Sequence, residues 1–207
     1  MTQIFHIHPD NPQQRLIRQA AEIIRKGGLI AYPTDTTYAL GCGIGEKAAL
    51  DRLIQLRRLD DKHQFSILCA DLSEIATYAK VSNTDYRLIK AHTPGAYTFI
   101  LQGTSEVPRR LMHEKKRTIG IRVPDNAICQ ALLAELGAPL MTSTLHLPDD
   151  EYPLTDPYDI ETVLQGRVDL IIDGGFGALD ETTVVSLVDG DGPVIVREGA
   201  GPVDRIF

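Results

Sequence analysis

Apolar and polar positions change period repeatedly along this chain, and each change marks an element. "QIFHI" alternates and predicts a first strand. In "NPQQRLIRQAAEIIRKGG", Leu16, Ala20, Ile23 and Ile24 recur at helical spacing. Asn11 suits the cap of that helix, Pro12 its first position and Gly27 its end. "LIAYP" predicts a short buried strand, and "KAALDRLIQLRR" a second helix with Leu50, Leu53, Ile54 and Leu56 inward. "FSILCA" reads as a strand, and "DLSEIATYAK" as the start of a helix capped by Asp71 or Ser73. "NTDYRLIKAHTPG" is a helix that must end before Pro94 and Gly95. "AYTFIL" and "TIGIRV" are strands, "NAICQALLAELG" is a helix closing on Gly137, and "PLMTST" is a strand running into polar residues. "TDPYDIETVLQ" has a helix-start signature, with Asp156 before Pro157. "VDLIID", "TTVVSLV" and "PVIVRE" are closing strands, punctuated by "GGFG" and "DGDG".

This alternation predicts a single α/β domain over residues 1–207, with a mixed strand order and flanking helices. No repeat, low-complexity tract or linker interrupts it. The stretch from His146 to Pro157, "HLPDDEYPLTDP", is the best candidate for a mobile loop or lid. The fold class requires a globular chain, and 43% hydrophobic against 24% charged residues meets that requirement.

Composition narrows the function classes. With no Trp, five Phe and seven Tyr, no aromatic platform for stacking single-stranded bases is evident. Cys42, Cys69 and Cys129 are scattered and form no CxxC, which predicts reduced thiols and a cytoplasmic location. No Cys/His pair has zinc-ligand spacing, so no resident metal is expected. The opening residues lack a basic region followed by a long apolar run, and no stretch reaches membrane-spanning length, so neither a signal peptide nor a membrane partner is read. The net charge of −7 disfavours a general nucleic-acid coat. Basic residues nevertheless cluster locally: Arg57, Arg58 and Lys62; Arg109 and Arg110; Lys115, Lys116 and Arg117.

Several motifs invite chemistry and fail. "GCGIGEK" follows an apolar run and precedes a helix, but it matches neither the G-x-G-x-x-G nor the P-loop template, and a flexible turn explains it. His6 and His8 have no partner at ligand spacing. There is no G-x-S-x-G elbow, and the carboxylate pairs Asp60–Asp61 and Asp149–Asp150 sit in loops. A different pattern recurs: predicted strands end in hydroxyl or guanidinium groups, in "YPTDTTY", "TIGIRV", "LMTSTLH", "ETTVV" and "VIVREG". Hydroxyls donate to anionic oxygens without adding charge, and arginines clamp them bidentately. Open α/β sheets place ligands at strand ends. Five such ends carrying one chemistry point to an anionic ligand.

"YPTDTTYALGC", "TPGAYTFIL", "RTIGIRVPDN", "PLMTSTLHL", "VDLIIDGG" and "TTVVSL…VIVREGAG" stand in the order seen in the YrdC/YciO family. Its enzymatic members are threonylcarbamoyl-AMP synthases. The resemblance runs from about Asn11 to Gly201, and the opening "IFHIHPDNPQQRLI" is most similar to the YciO branch. It implies a twisted YrdC/RibB-like α/β fold around a concave cavity. It also implies a reaction: L-threonine, bicarbonate and ATP, with Mg2+ brought by the triphosphate, give threonylcarbamoyl-adenylate and pyrophosphate for t6A modification of tRNA. By position in the motifs, Thr34 matches the residue near the amino acid, with Thr36 and Tyr38 beside it. Arg57 falls on the phosphate-contacting lysine. Thr118 matches a nucleotide-side hydroxyl, and Arg122 the arginine that holds the threonine carboxylate. Thr142 and Thr144 match two hydroxyls of a Ser-Thr-Ser-Ala-Asn-like segment. Thr182 matches an amino-acid-side serine, and Arg197 a late nucleotide-contacting arginine. Arg57 and Thr144 thereby become the candidate catalytic residues.

The chain departs from that pattern in two places. The family's Lys-x-Arg-Pro is Arg57-Arg58-Leu59-Asp60, so an apolar Leu59 replaces a cation unless Arg58 or Lys62 compensates. Its Ser-x-Asn is Thr144-Leu145-His146. Losing one cation beside a transferring phosphate costs on the order of 3 kcal/mol, or ~100-fold in rate. Two further readings therefore stand beside the synthase. One is a double-stranded RNA, tRNA or rRNA binder using Arg58, Lys62, Arg109, Arg110, Lys115 and Lys116. The other is hydrolysis of an acyl-adenylate with His146 as base.

Overall fold

A computed structural model describes residues 1–207. One mixed sheet runs through the molecule. Its strands are β1 (Gln3–His6), β2 (Ile30–Tyr32), β3 (Ala39–Gly43), β4 (Ser66–Leu68), β5 (Ala79–Lys80), β6 (Tyr97–Gly103), β7 (Thr118–Arg122), β8 (Leu140–Thr144), β9 (Leu170–Asp173), β10 (Thr183–Ser186) and β11 (Val194–Arg197). Its helices are α1 (Gln14–Arg25), α2 (Lys47–Arg57), α3 (Ile75–Tyr78), α4 (Asn83–Ala91), α5 (Ala127–Leu136) and α6 (Pro157–Leu164). The spatial order is β1-β9-β2-β3-β8-β4-β7-β6-β10-β11, with β5 on the edge of β6. β1–β9, β9–β2, β4–β7 and β6–β10 pair in parallel, and the remaining neighbours are antiparallel.

The expected single α/β domain with flanking helices is observed, and local chemistry accounts for most boundaries. Asn126 caps α5, its side chain accepting from the Cys129 N–H at 3.0 Å, and Gly137 ends the helix. Asp156 caps α6 by accepting from the Tyr158 N–H at 2.9 Å, with Pro157 in the first turn. α1 differs from expectation: it starts at Gln14, and Asn11 does not cap it. His8 Nδ1 instead accepts from the Asp10 and Asn11 N–H groups, while Gln13 Oε1 accepts from the His8 N–H. The preceding turn is thus closed by side chains before the helix begins. The helix expected after Asp71 shrinks to one turn, because Ala79 and Lys80 pair with Gly103 and Gln102 at the open edge of β6.

β3 (Ala39–Gly43) runs into "GCGIGEK", where the sequence pattern predicts only a flexible turn. Its glycines lower strand propensity, but Gly41 is required where it lies. A Cβ there would stand 2.8 Å from the Tyr32 ring and 2.9 Å from the Met141 carbonyl oxygen.

Strand alternation divides the apolar residues into two layers. On one face, Leu40, Ile67, Phe99, Ile121, Met141 and Val185 pack with α2, α4 and α6. On the other, Phe5, Ile30, Tyr32, Leu140 and Ile172 pack under α1 and α5. The helices of this second layer leave uncovered the face formed by β8, β4, β7, β6 and β10, and the side chains there turn polar.

Candidate functional site

The uncovered face is the floor of a cavity of about 320 Å³. Thr142, Ser66, Gly120 and Ile100 form one lateral row across β8, β4, β7 and β6. Thr98 and Val184 sit in an adjacent row across β6 and β10. The site therefore lies over the sheet face, not only in a crevice beyond the strand ends as the sequence pattern implied. The reason is topological. α1 and α5 cover just one end of this face, so hydroxyls inside strands remain open to a ligand.

Three arginines enter the cavity from separate elements: Arg57 from the end of α2, Arg122 from the end of β7 and Arg197 from the end of β11. Arg122 is buried, and its Nη2 donates to Asp35 Oδ1 at 2.5 Å, Thr36 Oγ1 at 2.8 Å and Thr34 Oγ1 at 3.0 Å. Its Nε is buried with no partner in the chain. Arg197 donates through Nε and Nη2 to the Thr182 carbonyl and pairs through Nη1 with Glu181. Arg57 donates from Nε to the His146 carbonyl at 3.0 Å and from Nη1 to Ser143 Oγ at 2.5 Å. It has no ion pair with a carboxylate. Burial lowers the Arg57 pKa, opposed by the charge of Glu181.

His63 stands beside Arg57. Its ring packs edge-on against Phe65, with centroids 4.8 Å apart, and its Nε2 lies 3.4 Å from Ser143 Oγ. Burial, reinforced by the Arg57 charge, depresses its pKa to about 4, so the imidazole is neutral at neutral pH. Ser143 belongs by alternation to the α2 face and meets the cavity where β8 ends.

The residues expected from sequence divide into two sets. Arg57, Arg122, Thr142, Thr144, Thr182 and Arg197 line the cavity. Thr34 and Thr118 do not. Thr34 accepts from Arg122, and Thr118 donates to Gln64 Oε1 at 2.9 Å, so each holds a wall residue from behind. Tyr38 turns away, donating to the Gly175 carbonyl. Thr142 carries a second contact, 2.5 Å from the Tyr32 hydroxyl, whose pKa burial pushes up. His146, read from sequence as a base, does not line the cavity. Its ring Nε2 lies 2.9 Å from the Asp150 carbonyl, and only its backbone oxygen meets Arg57. Within the segment from His146 to Pro157, the Thr155 carbonyl accepts from the Gly177 N–H at 2.9 Å.

The place left by Leu59 is not refilled. Leu59 packs against the core, Arg58 pairs with Asp149 at 3.3 Å, and neither Arg58 nor Lys62 lines the cavity. Among the other basic residues considered for RNA, Arg110 is paired with Asp51. No group of three or more His, Cys, Asp or Glu residues is arranged to hold a metal ion.

Sequence reasoning missed His63, Gln64, Ser66, Thr98, Ser143 and Glu181 as wall residues. A signal existed for two of them. Ser66 in "FSILCA" and Thr98 in "AYTFIL" are hydroxyls embedded in otherwise apolar strands. Nothing local marks His63 or Glu181.

The profile of the Sua5/YciO/YrdC family, described as "Telomere recombination", matches residues 22–199. The chain belongs to this family. It is 57% identical over 203 residues to the uncharacterized protein YciO of Escherichia coli, covering 98% of both chains. The crystal structure of E. coli YciO superimposes with a TM-score of 0.96 over 100% of each chain. The crystal structure of Pyrococcus abyssi Sua5 complexed with L-threonine has a TM-score of 0.89 at 26% identity, covering 98% of this chain and 59% of that one. A threonylcarbamoyl-AMP synthase of Bacillus subtilis is 30% identical over 192 residues, and the match spans 55% of its length. The mixed sheet with flanking helices is thus the fold of this family. No helix is long and apolar enough to cross a membrane.

Proposed function

We propose that this protein binds ATP and L-threonine in the cavity and forms L-threonylcarbamoyl-AMP from L-threonine, bicarbonate and ATP. The observation that supports this best is the division of labour among three arginines over one hydroxyl floor. Arg122 is oriented by Asp35 and keeps a buried, unpartnered Nε, which suits the threonine carboxylate. Arg57 lacks a carboxylate partner and is partly desolvated, which suits a phosphoryl oxygen. The relatives that are threonylcarbamoyl-AMP synthases, and the Sua5 complex with L-threonine, favour this substrate pair.

The chemistry follows from charge. The threonine ammonium and bicarbonate condense to a carbamate, releasing water and a proton. A carbamate oxygen attacks the α-phosphorus, the bond to the bridging oxygen breaks, and pyrophosphate leaves. Negative charge converges throughout, so oriented donors contribute most where it builds up. Arg57, Thr144 and Ser143 are placed to receive it, and magnesium arrives with the triphosphate. Leu59 leaves the cavity one cation short of the family pattern. That predicts turnover on the order of 100-fold below relatives with both cations.

The test is pyrophosphate release by purified protein with ATP, L-threonine, bicarbonate and magnesium. Release should require all three substrates and fall at least about tenfold in Arg57→Ala. Release no greater than that of Arg57→Ala would overturn the proposal. The RNA-binding reading draws less support, because Arg58 and Arg110 are each already paired with a carboxylate.

A further inference from the structure

Glu181 is the one acidic residue on the cavity wall. Its carboxylate pairs with Arg197 Nη1 and is only 24% exposed. The arrangement is built in at the backbone level. The Ala200 N–H donates to the Glu181 carbonyl at 2.8 Å, and Arg197 Nε and Nη2 hold the adjacent Thr182 carbonyl. Gly199 makes this approach possible, since a Cβ there would stand 2.3 Å from the Glu181 carbonyl oxygen. The carboxylate and its arginine are thus held together by backbone contacts between the segment before β10 and the segment that ends β11.

A site built for a free polyphosphate chain has little use for a fixed carboxylate. Counting the charges makes the consequence plain. Arg57, Arg122 and Arg197 bring three positive charges, and Asp35 and Glu181 cancel two of them. His63 is neutral at neutral pH. One net positive charge remains, centred on Arg57. It is exceeded less by the roughly two charges of a nucleoside monophosphate than by the larger charge of a triphosphate.

We infer that Glu181 sets the anion preference of this cavity, favouring a nucleoside monophosphate ester over a polyphosphate chain. The inference rests on the reading of the cavity as a nucleotide site, and it extends that reading from substrate binding to product retention. After pyrophosphate departs, the wall faces the smaller charge of the adenylate, while the leaving polyanion meets a carboxylate.

The experiment is calorimetric titration of AMP, ATP and inorganic tripolyphosphate without magnesium, at fixed ionic strength and pH 7.5. It compares the wild-type chain with Glu181→Gln and Glu181→Asp. Glu181→Gln should bind ATP and tripolyphosphate about tenfold more tightly and AMP no more than about threefold more tightly. Glu181→Asp keeps the charge and should keep the wild-type ATP-to-AMP ratio. An unchanged ratio in Glu181→Gln, or weaker ATP binding, would overturn the inference. So would failure of all three anions to bind any of the proteins. Should Glu181→Gln not fold, a wild-type protein that binds ATP more tightly than AMP overturns it equally. If tripolyphosphate affinity rises in Glu181→Gln while neither nucleotide binds, the nucleotide reading fails and the charge role of Glu181 stands.

Discussion

Arg122 and Asp35 form a buried ion pair at 2.5 Å, with side chains 8% and 10% exposed. Asp35 does more than neutralise the arginine. Its other oxygen accepts from the Asp125 N–H at 3.1 Å, tying the loop after β2 to the segment after β7. The pair therefore joins two distant stretches and aims the guanidinium into the cavity. Removing one partner leaves the other charge buried and unpaired. Asp35→Asn should lose about 3 kcal/mol of stability, seen as a melting temperature roughly 6–12 °C lower. It should also weaken L-threonine binding at least about tenfold, because the receiving arginine loses its orientation. A variant with wild-type threonine affinity would separate Asp35 from the site.

His63 makes stability depend on pH. Its folded pKa of about 4 lies below the ordinary 6.5, through burial first and the Arg57 charge second. The unfolded chain takes up a proton near 6.5 that the folded chain refuses. Stability should therefore fall as pH drops from about 6.5 to about 4 and level off below that. The loss assigned to this group is up to about 3 kcal/mol. Denaturant titrations of wild type and His63→Gln across this range test it; the variant should show a slope shallower by that amount.

The three cysteines are free and buried, and burial pushes the thiols of Cys42, Cys69 and Cys129 up to about 12. A thiol reagent at pH 8 should label none of them in the folded protein and all three once denaturant is added. Rapid labelling of one thiol in the native state would show that its burial is incomplete.

Gly199→Ala places a methyl group 2.3 Å from the Glu181 carbonyl oxygen and 2.6 Å from the Thr182 carbonyl carbon. Both are backbone atoms, so the turn itself must shift. The expected cost is about 1–3 kcal/mol, read as a lower melting temperature. The Arg197 bonds to Thr182 should loosen with it, so AMP affinity should fall as well. Unchanged stability would mean that the turn yields freely.

Much of the fold was legible because its cues are local. The helical spacing in α1, α2 and α5, the caps at Asn126 and Asp156, and the apolar strands between them need only neighbouring residues to be read. β3 was not legible, because a strand rich in glycine is held by its neighbours β2 and β8 rather than by its own propensity. The start of α1 was misread because His8 and Gln13 close the turn that Asn11 was expected to cap. The hydroxyl and arginine character of the site could be read from Thr142, Thr144, Arg122 and Arg197. Its position over the sheet face could not, since that depends on where α1 and α5 end their cover.

By itself the sequence determined which chemical groups this protein owns: an α/β chain whose strands carry threonines and arginines in a recognisable order. Only the tertiary structure decided which of those charges are free. Arg122 meets Asp35 across 87 residues of sequence, and Arg57 meets Ser143 across 86. No local pattern encodes such distances. Electrostatic pairing falls off with separation in space, not along the chain, and only folding sets that separation.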